Sequence, residues 1–195
     1  MTEDKEGGRH VFDPENWQRL ESPQRRERMN PVKLAEAMGL AGDEVVLDIG
    51  CGTGYFAEPV AERCGRLIGI DHSEDMLNVF RGKESFGKLT NVELKLGDAM
   101  APPVDDGSCD IVFHACLLHE IKDAAAFHRD IKRVLKPGGR LYSVDWHARD
   151  TGGMGPPVDH RVSQETAMEW MRRDGFKDVE ALEIYDDQYV IVGRV

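Results

Sequence analysis

Short apolar runs alternate along this chain with amphipathic stretches, regularly enough to name most of its elements. Residues 44–50 open the series with a β-branched run, Val45-Val46-Leu47-Asp48-Ile49, that predicts a buried strand. A helix through Arg63 follows, with Pro59 inside it to kink it or delay its regular part. Further strands are expected over Arg66–Asp71, Asn91–Leu96 and Asp110–Cys116. The second of these alternates Val92, Leu94 and Leu96, and the third is nearly continuous in apolar residues, as a central parallel strand should be. Ser73 caps a helix with Met76, Leu77 and Phe80 on one face; Asp123 caps another with Phe127, Ile131, Val134 and Leu135. Pro137-Gly138-Gly139 ends that helix sharply, and a strand over Leu141–Trp146 follows. A Gly- and Pro-rich loop, Thr151–Val158, leads to a helix begun at Ser163, with Ala167, Trp170 and Met171 inward and Gly175 as its stop. The last two strands, Val179–Tyr185 and Gln188–Val195, are joined only across Asp186-Asp187, too short a link for a parallel crossover. Upstream, Asn30 and Pro31 open a helix carrying Val32, Ala35 and Met38 as far as Gly39.

The alternation predicts an α/β fold: a doubly wound, Rossmann-like seven-stranded sheet with an antiparallel last strand and helices on both faces. Residues 29–195 read as one domain. Residues 1–28 read as an N-terminal extension, disordered over 1–8, whose sparse anchors Phe12, Trp17 and Leu20 suit a flap over a cleft.

The first strand runs into Gly50-Cys51-Gly52-Thr53-Gly54, preceded by Asp48. A strand, a tight glycine turn and a helix start receive a nucleotide-like ligand, because the helix points unpaired N–H groups into the turn. Dinucleotide binding asks for G-x-G-x-x-G, which would require glycine where Tyr55 stands. Asp71, about 20 positions on at the end of the second strand, is placed to accept from ribose hydroxyls, or else to cap the next helix with Ser73.

The alternate-glycine pattern resembles motif I of the class I S-adenosylmethionine (SAM) dependent methyltransferases. Leu96-Gly97-Asp98-Ala99 is similar to that family's G-D-A motif, Asp110 to Ile121 to its motif IV, and Leu135 to Leu141 to its motif V. Phe12-Asp13-Pro14 and Met154 to Ser163 resemble a group of small bacterial and archaeal members, of the type 11-like kind. The resemblance implies SAM as cofactor, held at Asp48, Gly50, Cys51, Gly52, Gly54, Asp71, His72, Met76, Asp98, Ala99, Ala115 and Cys116. It implies methyl transfer by in-line displacement, in which the protein mainly aligns the acceptor and excludes water. A general base is needed only for an acceptor that carries a proton, and the candidates are His119, Asp145 and His147, with His160 in the long loop. His114 is expected to point into a helix interface. No metal site is expected, since Cys116, His119 and His147 lack ligand spacing.

Charge narrows the acceptor. With 25 basic and 36 acidic residues the net charge is −11, which argues against a nucleic-acid partner. Arg25-Arg26-Glu27-Arg28, the one basic cluster, reads as a solvated helix end. The fourth strand ends His114-Ala115-Cys116-Leu117, without the (N/D)-P-P-(Y/F) motif of base-amine methylation. A small-molecule acceptor is therefore expected, with a quinone or other lipid-like ring among the options. Four cysteines form no C-x-x-C pair, the N-terminus lacks an apolar signal core, and no run is long enough to span a membrane. These features predict a cytoplasmic monomer or homodimer. The alternatives are a SAM-binding sensor or partner subunit without turnover, and a nucleotide oxidoreductase, which Tyr55 and the terminal hairpin oppose.

Overall fold

The expected strands assemble into one seven-stranded sheet of order β3-β2-β1-β4-β5-β7-β6, in a computed structural model that describes residues 14–195. The strands are β1 (Val45–Ile49), β2 (Arg66–Asp71), β3 (Val92–Leu96), β4 (Cys109–Ala115), β5 (Leu135–Trp146), β6 (Lys177–Leu182) and β7 (Gln188–Arg194). β1 to β5 pair in parallel, and β7 runs antiparallel to both β5 and β6. Strand order reverses between β1 and β4, so the crevice beyond their carboxyl ends is where such a sheet accepts a ligand. Phe12 and the disordered reading of residues 1–8 lie outside the described residues.

Helices cover both faces, as the alternation predicts. On one face α1 (Pro23–Arg28), α2 (Pro31–Ala37), α3 (Ala57–Ala61) and α4 (Glu74–Arg81) bury Met29, Leu34, Phe56 and Phe80 with Phe113 and Val190 of the sheet. On the other, α5 (Ala124–Val134) and α6 (Gln164–Arg173) bury Phe127, Ile131 and Met171 with Leu47, Val112 and Ile191. The apolar stripes at helical spacing have matching sheet faces, although Trp170, expected inward on α6, is only half-buried and lies outside both clusters. No helix among the described residues is long and apolar enough to cross a membrane.

Three boundaries differ from expectation, each for a local reason. β5 begins at Leu135, because Leu135 pairs with Cys109 before Pro137–Gly139 shifts the register and pairing resumes at Arg140 and Ile111. α3 spans only Ala57–Ala61, since the glycine turn occupies the residues before it; Pro59 falls in its first turn, where an N–H has no helical partner. β6 starts at Lys177 and shifts register near Asp178, which adopts φ +50°. Leu96 is exposed, as the end of an edge strand with a neighbour on one side only.

Candidate active site

The glycine turn is tied to the sheet at its base. Gly50 and Cys51 both donate to the Ile70 carbonyl, at 2.8 and 2.9 Å. The three glycines, all at positive φ, serve different ends. A Cβ on Gly54 would lie 2.3 Å from the Phe80 ring, so this glycine admits a core aromatic rather than a ligand. A Cβ on Gly50 would come within 3.2 Å of Leu117. On Gly52, at φ +52°, it would meet no protein atom within 4 Å. Of the three, Gly52 is therefore the one whose bare backbone faces open space, at the carboxyl end of β1.

Asp71 locks the turn to the next strand. Its Oδ2 accepts from the Gly52 N–H at 2.8 Å and its Oδ1 from the Ser73 N–H at 2.9 Å. Ser73 in turn caps α4 through the Met76 N–H. Asp71 thus makes the helix-entry turn and stands at the strand end where a ribose is expected. Asp48 and Cys51 lie buried under the turn, and burial, with the charge of Asp71, pushes both well above their ordinary pKa values. Met76 is a buried wall, whereas His72 is exposed with its Nδ1 3.6 Å from Asp71 Oδ1. At the end of β3, Asp98 is exposed and its Oδ1 accepts from the Met100 N–H at 2.8 Å. The open backbone at Gly52, on the same edge as the strand-end carboxylates of β2 and β3, fits the donor expected from the sequence. Gly50 to Gly54 would hold its methionine part, and Asp71 and Asp98 its nucleoside.

Across the switch point lie the ends of β4 and β5. Cys116 takes φ +57° as the chain leaves β4, and its N–H donates to the Val144 carbonyl at 2.8 Å. Such a conformation is rare outside glycine and clusters at functional turns. The turn carries His119 to Asp145. His119 Nδ1 lies 2.8 and 3.0 Å from the two carboxylate oxygens, and its backbone N–H donates to Oδ2 at 3.1 Å. The Trp146 N–H adds a fourth contact to that buried carboxylate, at 2.7 Å. Burial disfavours the charge on Asp145, but His119 and these N–H groups outweigh it and hold the carboxyl below its usual value. An ionised carboxylate can only accept, so Nδ1 carries the proton and Nε2 is left as the basic nitrogen. For His119 itself, burial lowers basicity, yet Asp145, helped by Glu120, raises the pKa above the ordinary value. The two expected bases are one unit: His119 is the basic group and Asp145 is its holder.

The remaining histidines separate cleanly. His147 is half-buried, its ring 5.7 Å from that of Tyr189, with its pKa lowered by burial and by Arg149. His160 sits in a short turn of the long loop, Val158–His160. His114 is buried against Phe127, and burial drops its pKa to about 3, in keeping with the helix interface expected for it.

The basic cluster is a solvated helix end only in part: Arg26 and Glu27 are exposed, but Arg25 and Arg28 are engaged. Arg25 is 8% exposed, its guanidinium 4.4 Å over the Tyr55 ring and its Nη2 3.9 Å from Cys116 Sγ. Arg28 pairs with Asp187 at 2.6 Å and donates to the Thr151 carbonyl, tying α1 to the long loop and the β6–β7 turn. Glu21 accepts from Thr53 Oγ1 and pairs with Lys83, fastening the segment ahead of α1 onto the glycine turn. The sequence signal for this packing is Ser22-Pro23, a cap and first-turn proline, with Met29 one helical turn beyond Arg25. A helix that buries Met29 turns Arg25 inward. Arg161, also unforeseen, gathers the long loop by donating to the carbonyls of Pro156, His147, Arg149 and Met154.

Known proteins resemble this chain in sequence and in fold. A methyltransferase domain family model matches residues 47–143. The demethylmenaquinone methyltransferase of Lactococcus lactis is 35% identical over 117 residues, 58% of this chain and 46% of that protein. The matched segment thus spans less than half the length of that curated relative. The crystal structure of a SAM-dependent methyltransferase from Aquifex aeolicus superposes with a TM-score of 0.87 at 27% identity, covering 95% of this chain and all of that one. The cyclase SpnF shares the fold, with a TM-score of 0.70 at 23% identity over 84% of this chain and 80% of its own.

Proposed function

Because the chain belongs to the methyltransferase-domain family of class I SAM-dependent enzymes, we propose that it transfers the methyl group of SAM to a small organic acceptor bearing a removable proton. The observation that carries this reading is one of place. The open Gly52 cradle and the His119–Asp145 pair lie on the same edge of the sheet, on either side of the β1–β4 switch point.

A bound sulfonium donor supplies an electrophilic methyl group, so the chain need provide no covalent intermediate. Its residues orient and deprotonate. Asp71 and the Gly50–Gly54 backbone fix the donor end of the crevice. Nε2 of His119 takes the acceptor's proton, and the Asp145 carboxylate stabilises the resulting imidazolium. Leu117 against Gly50, and the segment fastened by Glu21 and Arg28, help keep water from the crevice. The relative's name supports a ring acceptor of the quinol kind, for which a hydroxyl is the proton to remove. The four cysteines are all free, which fits a reducing cytoplasmic setting.

Fold alone does not decide activity, since a cyclase shares it. The test is release of S-adenosylhomocysteine on incubation with SAM and a panel of hydroquinones. Turnover that is lost in His119→Gln while SAM still binds supports the reading. Tight SAM binding with no release from any acceptor would favour a sensor or partner subunit instead.

A further inference from the structure

Arg25 is an anomaly of electrostatics. This chain has 36 acidic and 25 basic residues, so carboxylates are in surplus, yet no carboxylate of the described residues lies within ion-pair distance of this guanidinium. The neighbours on the same segment are paired: Arg28 with Asp187, and Glu21 with Lys83 rather than with Arg25 four positions on. Burying a charge without a counter-ion is costly, and a fold does not ordinarily tolerate it without a use.

A guanidinium offers five donor hydrogens. Among the described residues it makes one good bond, from Nη1 to the Leu20 carbonyl at 2.9 Å, and Nη2 meets the weak acceptor Cys116 Sγ at 3.9 Å. Burial pushes that thiol up to about 12, so it remains a neutral thiol and supplies no countercharge. The group is held in place nonetheless, its plane over Tyr55 at 4.4 Å and within 5.8 Å of the Phe56 ring centroid. Its remaining donors, without an acceptor among the described residues, are therefore held at a fixed spot, beside the strained turn where β4 ends.

We propose that Arg25 is the specificity-determining residue for the acceptor, binding the carboxylate of an aromatic acid beside Cys116 at the end of β4. The inference rests on the methyltransferase reading and names the chemical class its acceptor belongs to. A carboxylate accepts two parallel N–H bonds from a guanidinium, which a neutral isostere does not match. Arg25 touches neither the transferred methyl group nor the proton; it selects and orients.

The experiment uses the full chain saturated with S-adenosylhomocysteine and titrated by calorimetry with 2-naphthoate and with its neutral isostere 2-naphthamide. The wild type is expected to bind naphthoate at least about tenfold more tightly. Arg25→Met keeps the stem's packing and should bring the two affinities together, with S-adenosylhomocysteine affinity unchanged within about twofold. Arg25→Lys keeps the charge but not the fork and should retain part of the preference. A wild type with no preference for naphthoate, including one that binds neither compound, overturns the proposal. So does a preference that survives intact in both variants, and if Arg25→Met does not fold, Arg25→Lys alone is held to that standard. Failure of the wild type to bind S-adenosylhomocysteine would instead sink the methyltransferase reading itself.

Discussion

Two buried histidines face aspartates in this molecule, and they are tuned in opposite directions. His119 meets Asp145 at the carboxyl edge of the sheet, while His128 meets Asp174 between α5 and α6, with Nδ1 to Oδ2 at 2.6 Å. Burial lowers both rings' basicity. Around His119 that loss is outweighed by Asp145, which no lysine or arginine of the described residues meets within 4 Å, and the pKa rises despite the more distant Arg161. Around His128 the carboxylate is shared: Arg173 contacts both of its oxygens at 2.7 and 3.0 Å, and Lys132 donates to the Asp174 carbonyl. Burial then prevails, Arg173 and Lys132 add to it, and the pKa falls. The same residue pair is a poised base in one place and a neutral latch in the other, and neighbouring cations decide which.

The sharpest break of this contrast is in turnover. His119→Gln should lower kcat by about 10²–10⁴-fold with SAM affinity unchanged, as removal of a general base does, while His128→Gln should leave kcat within about twofold. Equal losses in the two variants would erase the distinction. Asp145→Asn should approach His119→Gln in rate and, by breaking a buried pair, also cost about 3–5 kcal/mol in denaturant unfolding. The double variant should be little slower than His119→Gln alone, since the two act as a unit. His128→Gln should cost about 1–3 kcal/mol of stability, seen as a lower denaturation midpoint.

The smallest effect is in pH, and its sign separates the pairs. Both aspartates are held below their ordinary pKa, so neither titrates near neutrality. His119, raised in the folded state, contributes stability that is fully present below the unfolded value and is lost as pH rises through the folded one. His128, lowered in the folded state, contributes stability present above the unfolded value and lost as pH falls toward the folded one. Unfolding free energies at pH 5.5 and 8 should therefore show the deficit of His119→Gln shrinking on going to alkaline pH and that of His128→Gln growing. Parallel deficits would mean that the two environments do not differ.

What the sequence could tell followed the range of each contact. The glycine turn, the Asp71 strand end and the caps at Ser73, Asp123 and Ser163 are made by residues near one another in the chain, and their patterns were readable. The different duties of the glycines were not, because Phe80, which excludes a side chain at Gly54, lies on a later helix. Nor was the joining of His119 to Asp145, since adjacent parallel strands bring them together only once β4 and β5 pair. Arg25 was misread because a basic cluster is usually solvated, and only the docking of α1 against Tyr55 shows otherwise. Boundaries failed where register shifts intervened, at Leu135 and Lys177.

The account's central claim is that the methyl donor lies against the Gly52 backbone. Gly52→Ala adds one methyl group that meets no protein atom, at a cost in backbone strain of about 1–3 kcal/mol at φ +52°. Calorimetric titration of the folded variant with SAM should give an affinity at least about tenfold below wild type, because the methyl group occupies donor space. An undiminished affinity would place the donor elsewhere and contradict the account.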